Sequence, residues 1–259
     1  VSVIRSPLSG WMGGKWQLSR KIIPLIPEHT GYAEPFAGAA WVLFRKEPSK
    51  SEILNDINKN VVTLYRVVQH HLEEFVRYFR WILISRDEFE RLLRVEPDTL
   101  TDIQRAARFY YVQKLAFGGR ITKPTLGTSP ILPARLNLLR IDEELSAVHL
   151  RISRAFIECL PYQDFITRYD RPTTFFYLDP PYWGCEDYYG KNLFSRDDFA
   201  ALAEQLAGLQ GKFILSLNDV HDVRRIFCRF EILPVQCTYS VGAGRTRASE
   251  LLISNFAMP

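Results

Sequence analysis

The apolar run Phe175-Phe176-Tyr177-Leu178 stops at Asp179-Pro180-Pro181-Tyr182, and this junction constrains the fold more than any other part of the chain. Four aromatic or aliphatic residues in a row, without polar alternation, describe a strand in the middle of a sheet covered on both faces. The two prolines that follow carry no amide hydrogen, so the strand ends there. In open α/β sheets ligands collect at the carboxyl ends of the strands, which puts Asp179 where chemistry is done. A carboxylate at that place accepts one N–H of a planar exocyclic amine, the Pro180 carbonyl accepts the other, and Tyr182 offers a ring for stacking. The other reading of these residues is a strand-ending turn with an incidental tyrosine, because Asp-Pro is common in turns.

The N-terminal part repeats the strand-then-turn grammar. Gly31 to Phe36 reads as a strand, Ala37-Gly38-Ala39-Ala40 as a small-residue turn, Trp41 to Lys46 as a helix and Ser51 to Ile57 as a second strand. Small residues let the backbone approach a ligand closely, and the following helix aims its free amides at negative charge. Tight strand-to-helix packing is the alternative. Asp56, about 20 residues past the glycine turn, is placed to bond a ribose diol or to cap the next helix. Further strands are expected at Phe156 to Leu160, Thr174 to Leu178, Lys212 to Leu217, Pro234 to Val241 and Glu250 to Phe256. The last two flank Gly242-Ala243-Gly244 and Arg245-Thr246-Arg247, a hairpin with a basic tip. Trp11-Met12-Gly13-Gly14-Lys15 resembles a phosphate loop only superficially, since Ser9 stands where the first glycine belongs and Trp16 where a magnesium-binding hydroxyl belongs. Read by itself it is a capped helix start, with a lysine able to neutralise a carboxylate.

Between residues 64 and 150 the alternation fails. Leu72 to Leu93 and Ile103 to Leu115 carry helical spacing, and Gly118 to Pro133 is rich enough in glycine, threonine and proline to be a loop or hairpin. From Ile103 to Ile141 there are seven basic residues and no acid: Arg105, Arg108, Lys114, Arg120, Lys123, Arg135 and Arg140. Such a segment suits phosphates. Phe109 to Tyr111 fit a core face better, whereas Arg120, Lys123 and Arg135 sit on the loop and favour nucleic acid. The division is therefore residues 1–64 and 151–259 for one α/β domain and 65–150 for a helical insert.

The net charge of +4 adds little by itself. Cys159, Cys185, Cys228 and Cys237 have no C-x-x-C spacing and no histidine placed to complete a zinc site, so no metal and a reducing cytoplasm are expected. No run of 18 apolar residues and no leader pattern is seen, which predicts neither a membrane span nor export. A monomer is the expected solution state.

Taken in order, Trp11-Met12-Gly13-Gly14-Lys15, Ala33-Glu34-Pro35-Phe36-Ala37-Gly38-Ala39, Leu54-Asn55-Asp56-Ile57-Asn58 and Asp179-Pro180-Pro181-Tyr182 resemble the Dam-type, D12-class DNA adenine-N6 methyltransferases. The resemblance spans nearly the full chain. Tyr111 to Gly119 is similar to the segment that opens the family's recognition hairpin, and Ser216-Leu217-Asn218-Asp219 matches the residues after its fifth strand. It implies an α/β, Rossmann-like seven-stranded mixed sheet with an inserted helical target-recognition subdomain, in a prokaryotic or phage-encoded enzyme. By the same resemblance, Trp11, Gly14, Lys15, Glu34, Pro35, Phe36, Gly38, Asp56, Ile57, Leu160, Asp164 and Asp179 bind S-adenosylmethionine. Asp179, Pro180, Pro181 and Tyr182 form the catalytic tetrapeptide. Phe117, Gly119, Arg120, Lys123, Arg135, Arg245 and Arg247 contact double-stranded DNA, with G-A-T-C as the first sequence to test. Two departures stand out: Ala39 and Ala40 follow Gly38 where the family has a second glycine, and Gly118-Gly119 replaces bulkier polar residues. An RNA adenine methyltransferase, an enzyme methylating glutamine amides, and a DNA-binding homologue without catalysis are the competing readings.

Overall fold

The computed structural model describes residues 4–11, 13–186, 193–241 and 244–258, and side chains within these except those of 238–241 and 244–247. Seven strands form one sheet: β1 (Gly31–Glu34), β2 (Ser51–Asn55), β3 (Phe156–Glu158), β4 (Thr174–Leu178), β5 (Lys212–Asn218), β6 (Glu231–Val241) and β7 (Gly244–Ser254). The order is β3-β2-β1-β4-β5-β7-β6, parallel except for β7, which runs antiparallel to both neighbours. This is the Rossmann-like methyltransferase sheet that the resemblance implies.

Ten α-helices accompany it among the described residues: α1 (Ser19–Ile22), α2 (Trp41–Arg45), α3 (Lys59–His70), α4 (Leu72–Phe79), α5 (Arg86–Arg94), α6 (Asp102–Leu115), α7 (Ile141–Ile152), α8 (Tyr162–Tyr169), α9 (Arg196–Ala207) and α10 (His221–Ile226). Strand β4 shows why both faces are covered. Phe175 and Tyr177 enter a core shared with α2, α3, α6 and α7, while Phe176 and Leu178 enter a second core shared with α8, α9 and α10. All five of its residues are buried, as a continuous apolar run requires.

The structure corrects several boundaries. Strand β1 stops at Glu34 and β2 at Asn55, each two residues short of expectation, because Asn55 turns its side chain to the chain ends. Its Nδ2 donates to the carbonyls of Pro35 (2.9 Å) and Leu160 (3.0 Å), and its Oδ1 accepts from the Leu160 amide (2.8 Å). Strand β6 starts at Glu231, ahead of Pro234, which an edge strand tolerates. Leu72 to Leu93 is two helices rather than one. Ser85 caps α5 by accepting from Glu88 (3.1 Å), and the buried Tyr111 donates its hydroxyl to the Leu83 carbonyl (2.9 Å) and accepts from the Ser85 amide (3.2 Å). These bonds pin the chain reversal that helical periodicity cannot register.

The insert packs through aromatic edges, Phe75 and Phe79 against Tyr110 at centroid distances of 5.6 and 5.4 Å. Phe109 to Tyr111 are buried. Helix α6 opens on a capping box between Thr101 and Gln104. After it, Ala116 bridges Leu126 and the Phe117 amide donates to the Thr125 carbonyl (2.7 Å), a short hairpin within the loop region expected from composition. Residue 64, where the expected division begins, lies inside α3, which runs unbroken from Lys59 to His70.

Candidate active site

The carboxyl ends of β1, β2 and β4 open on a cavity lined among others by Trp11, Lys15, Glu34, Gly38, Asp56 and Asp179. Four segments far apart in sequence meet here. Asp179 follows β4 directly. Its Oδ1 takes a 2.7 Å ion pair from Lys15 Nζ and a 3.1 Å hydrogen bond from Ser216 Oγ on β5, while the Tyr177 hydroxyl lies 3.0 Å from the same serine. The Lys15 side chain is only 3% exposed, and its ammonium also donates to the Gly13 carbonyl at 2.7 Å. Burial pushes the Asp179 carboxyl up, and Lys15 and Ser216 pull it back. Lys15 Nζ stands 4.5 Å from the centre of the Tyr182 ring, so the lysine joins the acid to the tyrosine.

The lysine segment is not a helix start. Helix α1 begins at Ser19 with no side-chain cap, and residues before it turn through Gly13 at φ 74°. A turn carries Lys15 inward to Asp179. Met12 lies outside the described residues.

The small-residue turn is tight. Gly38 has φ +46°, and a Cβ there would meet Trp11 Nε1 at 3.1 Å. Its carbonyl accepts from the Tyr65 hydroxyl at 2.7 Å. Ala40, where the family has glycine, takes the same left-handed region at φ 48° and serves as the N-cap of α2, a conformation that costs an alanine about 1 to 2 kcal/mol. Gly38→Ala is expected to cost about 1–3 kcal/mol of stability through backbone strain and displacement of Trp11, measurable as a lowered urea midpoint.

Glu34 ends β1 and is 1% exposed. Its Oε1 accepts from the Tyr32 hydroxyl (2.6 Å) and the Leu43 amide (3.0 Å). Burial outweighs both bonds and raises the carboxyl from 4.5 to about 8. A folded-state value above the unfolded one means that the folded chain keeps a proton the unfolded chain releases. Glu34 therefore contributes most below pH 4.5, and that stability is lost as pH rises through about 8. Glu34→Gln should remove this dependence. Between pH 5.5 and 7.5 the wild type should lose roughly 1.4 kcal/mol per pH unit relative to the variant, as read by denaturant unfolding at each pH.

Asp56 neither caps α3 nor stands unbonded. Asn58 is the cap, accepting from Asn60 (3.0 Å), while Asp56 accepts from the Asn58 amide (2.8 Å) and the Gly38 amide (2.9 Å). It thus ties the end of β2 to the glycine turn, and burial raises its carboxyl to about 6.

Of the expected cofactor residues, Trp11, Gly14, Lys15, Glu34, Phe36, Gly38, Asp56, Ile57 and Asp179 line the cavity together, with Pro181 of the tetrapeptide. Pro35 and Leu160 do not line it, their backbones being held by Asn55, and Asp164 is exposed on α8. Pro180 is buried beside it. Ser216, Tyr177, Trp41 and Asn58 belong to the site without having been singled out for it. A serine and an asparagine inside Lys212–Asn218, otherwise apolar in its middle, were the available signal for β5.

The seven basic residues divide sharply. Arg105 pairs with Asp98 (2.6 Å), Arg108 donates to the Leu92 carbonyl (2.7 Å), Arg140 pairs with Glu143 (3.2 Å), and Lys114 is buried and bonded to Ser9 (3.0 Å). Arg120, Lys123 and Arg135 are exposed on the 116–140 segment, beside Phe117 at 50% exposure; Gly119 is buried and its carbonyl accepts from Gln113 (2.8 Å). Arg245 and Arg247 sit on β7 opposite Ser240 and Thr238, but their side chains and the tip residues Gly242 and Ala243 lie outside the described residues.

The model of the D12 class N6 adenine-specific DNA methyltransferases matches residues 11–241. The chain belongs to this family. This D12 methyltransferase is 28% identical over 258 residues to the DNA adenine methylase of Escherichia coli (strain K12), covering 93% of this chain and 92% of the relative. It is 26% identical over 267 residues to the DNA adenine methylase of Vibrio cholerae serotype O1 (strain ATCC 39315 / El Tor Inaba N16961), with 93% of each chain covered. A viral relative, the type II methyltransferase M.CviBI of Paramecium bursaria Chlorella virus NC1A, is 22% identical over 225 residues, covering 85% of this chain and 86% of its own. The D12 methyltransferase is an enzyme that methylates adenine in DNA. Among its described residues no cluster of His, Cys, Asp or Glu could hold a metal ion, and no helix is long and apolar enough to cross a membrane.

Proposed function

We propose that this methyltransferase draws its methyl group from S-adenosylmethionine held in the β1–β2–β4 cavity and delivers it to the N6 of an adenine flipped out of duplex DNA, with Asp179 and the Pro180 carbonyl gripping the amine. The observation that carries the reading is the Asp179 carboxylate at the buried end of β4, oriented through one oxygen by Lys15 and Ser216. The residues present suit the methyl donor. The cavity lies at the carboxyl ends of the strands, where such ligands bind, the turn at Gly38 is too tight to take a side chain without moving Trp11, and acidic and aromatic side chains line the walls. When bound, that molecule supplies a methyl carbon activated by a sulfonium leaving group. Trp11, Lys15, Glu34 and Asp56 would hold it.

The chain's own work is positioning. Adenine N6 is a poor nucleophile because its lone pair is spread into the ring. Hydrogen bonds to both amine hydrogens favour a pyramidal nitrogen whose lone pair points one way. Asp179 Oδ1 is engaged by Lys15 and Ser216, which leaves Oδ2 for one N–H. A paired adenine cannot reach this depth, so the base must leave the stack at a cost of a few kcal/mol, partly offset on the Tyr182 ring. Residues 65–150 act as the DNA-binding insert, with Arg120, Lys123 and Arg135, together with Arg245 and Arg247, on the phosphates and Phe117 at the bases.

The test is incubation of purified protein with methyl-labelled S-adenosylmethionine and duplex DNA, followed by sequencing that detects N6-methyladenine. Label in adenine, absent from a matched RNA and from protein, is the expected result. Cofactor binding in calorimetry without any transfer would favour a DNA-binding homologue without catalysis.

A further inference from the structure

Glu250 on β7 is 1% exposed, and neither of its carboxylate oxygens closes a hydrogen bond of ordinary geometry, the Tyr182 hydroxyl being a group near enough to act on it. It is not a cavity-wall residue and no step above uses it. A charged or even protonated carboxyl buried in this way is costly unless something comes to meet it. Its register explains where it points. It sits opposite Asn218 on β5 and Val235 on β6, at the same sheet edge that carries Asp179. The groups that face it are Lys15 from the N-terminal turn, Tyr177 and Asp179 from β4 and its end, Tyr182 from the tetrapeptide, and Cys237 from β6. Burial raises its carboxyl, and the Lys15 ammonium draws it back down.

The Tyr182 hydroxyl is buried and likewise closes no hydrogen bond of ordinary geometry, although it lies near enough to the Glu250 carboxyl to draw that carboxyl down while its own hydroxyl is pushed up. Two complementary groups, a donor and an acceptor, thus lie buried side by side with no ordinary hydrogen bond closed between them. Tyr182 already has Lys15 over its ring at 4.5 Å. A hydroxyl held at one end and an ammonium over the ring would leave this side chain little freedom to tilt.

We propose that Glu250 is a positioning residue for methyl transfer: its buried carboxyl accepts the Tyr182 hydroxyl when an extruded adenine stacks on that ring, and so fixes the base relative to Asp179. The inference rests on the reading of Asp179 to Tyr182 as the amine-gripping site. No covalent bond is made or broken by Glu250. Its effect passes through the angle of the ring, and a base held about 1 Å from the productive geometry reacts about a hundredfold more slowly.

The experiment compares Glu250→Leu, Glu250→Gln, Tyr182→Phe, the Glu250→Leu/Tyr182→Phe double variant and Asp179→Asn in the full chain, by single-turnover transfer to duplex DNA and by thermal unfolding. Leucine removes the acceptor and should cut the transfer rate about a hundredfold. Its melting temperature should equal or exceed that of the wild type, because a buried carboxyl without a partner is lost. Glutamine keeps an acceptor oxygen and should restore the rate to within about fivefold of wild type. Tyr182→Phe should lose as much as leucine, and the double variant no more than either, since both break one contact. The proposal is overturned by a leucine variant that transfers at the wild-type rate, by single losses that multiply in the double variant, or by a glutamine variant that transfers as slowly as leucine. Asp179→Asn separates the two levels. If it retains transfer, the underlying site assignment fails; if it is inactive while Glu250→Leu is unimpaired, only the role of Glu250 fails.

Discussion

Asp179→Ala is expected to lower methyl transfer by at least about a thousandfold while DNA affinity changes by only a few-fold. The size follows from what is lost. One oriented acceptor in a water-poor site accounts for roughly a hundredfold to a thousandfold, and the same carboxylate is the counter-ion of a lysine whose side chain is 3% exposed. Without it, Lys15 faces the amine with a positive charge, which opposes the partial positive charge that the nitrogen develops as it attacks. Removing the carboxylate from a buried ammonium also carries a stability cost of up to about 3–5 kcal/mol, reduced by the bond that Lys15 keeps to the Gly13 carbonyl and to the extent that Glu250 takes up the charge. Activity must therefore be measured at a temperature where the variant is folded, as shown by circular dichroism. Transfer near the wild-type rate by folded Asp179→Ala would remove the tetrapeptide from the chemistry.

Replacing Arg120, Lys123 and Arg135 together by alanine is expected to weaken duplex binding about a hundredfold at 0.15 M salt and to make the slope of log affinity against log salt shallower by about 2.7, at 0.9 per phosphate contact. The three are exposed, and among the described residues none is joined to an acidic side chain, so the fold should be unaffected and the cofactor affinity unchanged. The same replacement at Arg105, Arg108 or Arg140 should act on stability rather than on the salt slope, because these side chains already have protein partners. A triple variant with an unaltered salt slope would show that the phosphates lie elsewhere.

The difference between these two sets of basic residues marks what could be read along the chain and what could not. Seven positive charges without an acid stand out in composition, yet Asp98 and Glu143, which neutralise two of them, lie outside the window from Ile103 to Ile141. Lys114 is drawn inward because helix α6 turns that face to the core. Leu160 and Asp164 are the corresponding case at the cavity. The family resemblance places them there, but the side chain of Asn55 captures the Leu160 backbone and α8 turns Asp164 to solvent. The break at residues 80–85 leaves no mark in the apolar spacing, because it is held by the bonds of Tyr111 to Leu83 and Ser85, a contact from another helix.

The order of strands and turns, the end of β4 at two prolines, the left-handed demand at Gly38 and the character of the central acid were all determined by local sequence, because backbone preference and apolar periodicity act over a few neighbouring residues. The pairing of Lys15 with Asp179, the support of that acid by Ser216, and the burial of Glu250 beside Tyr182 were decided only when distant strands came together. Burial sets the strength of a charge interaction, and burial is a property of the packed sheet rather than of any one segment.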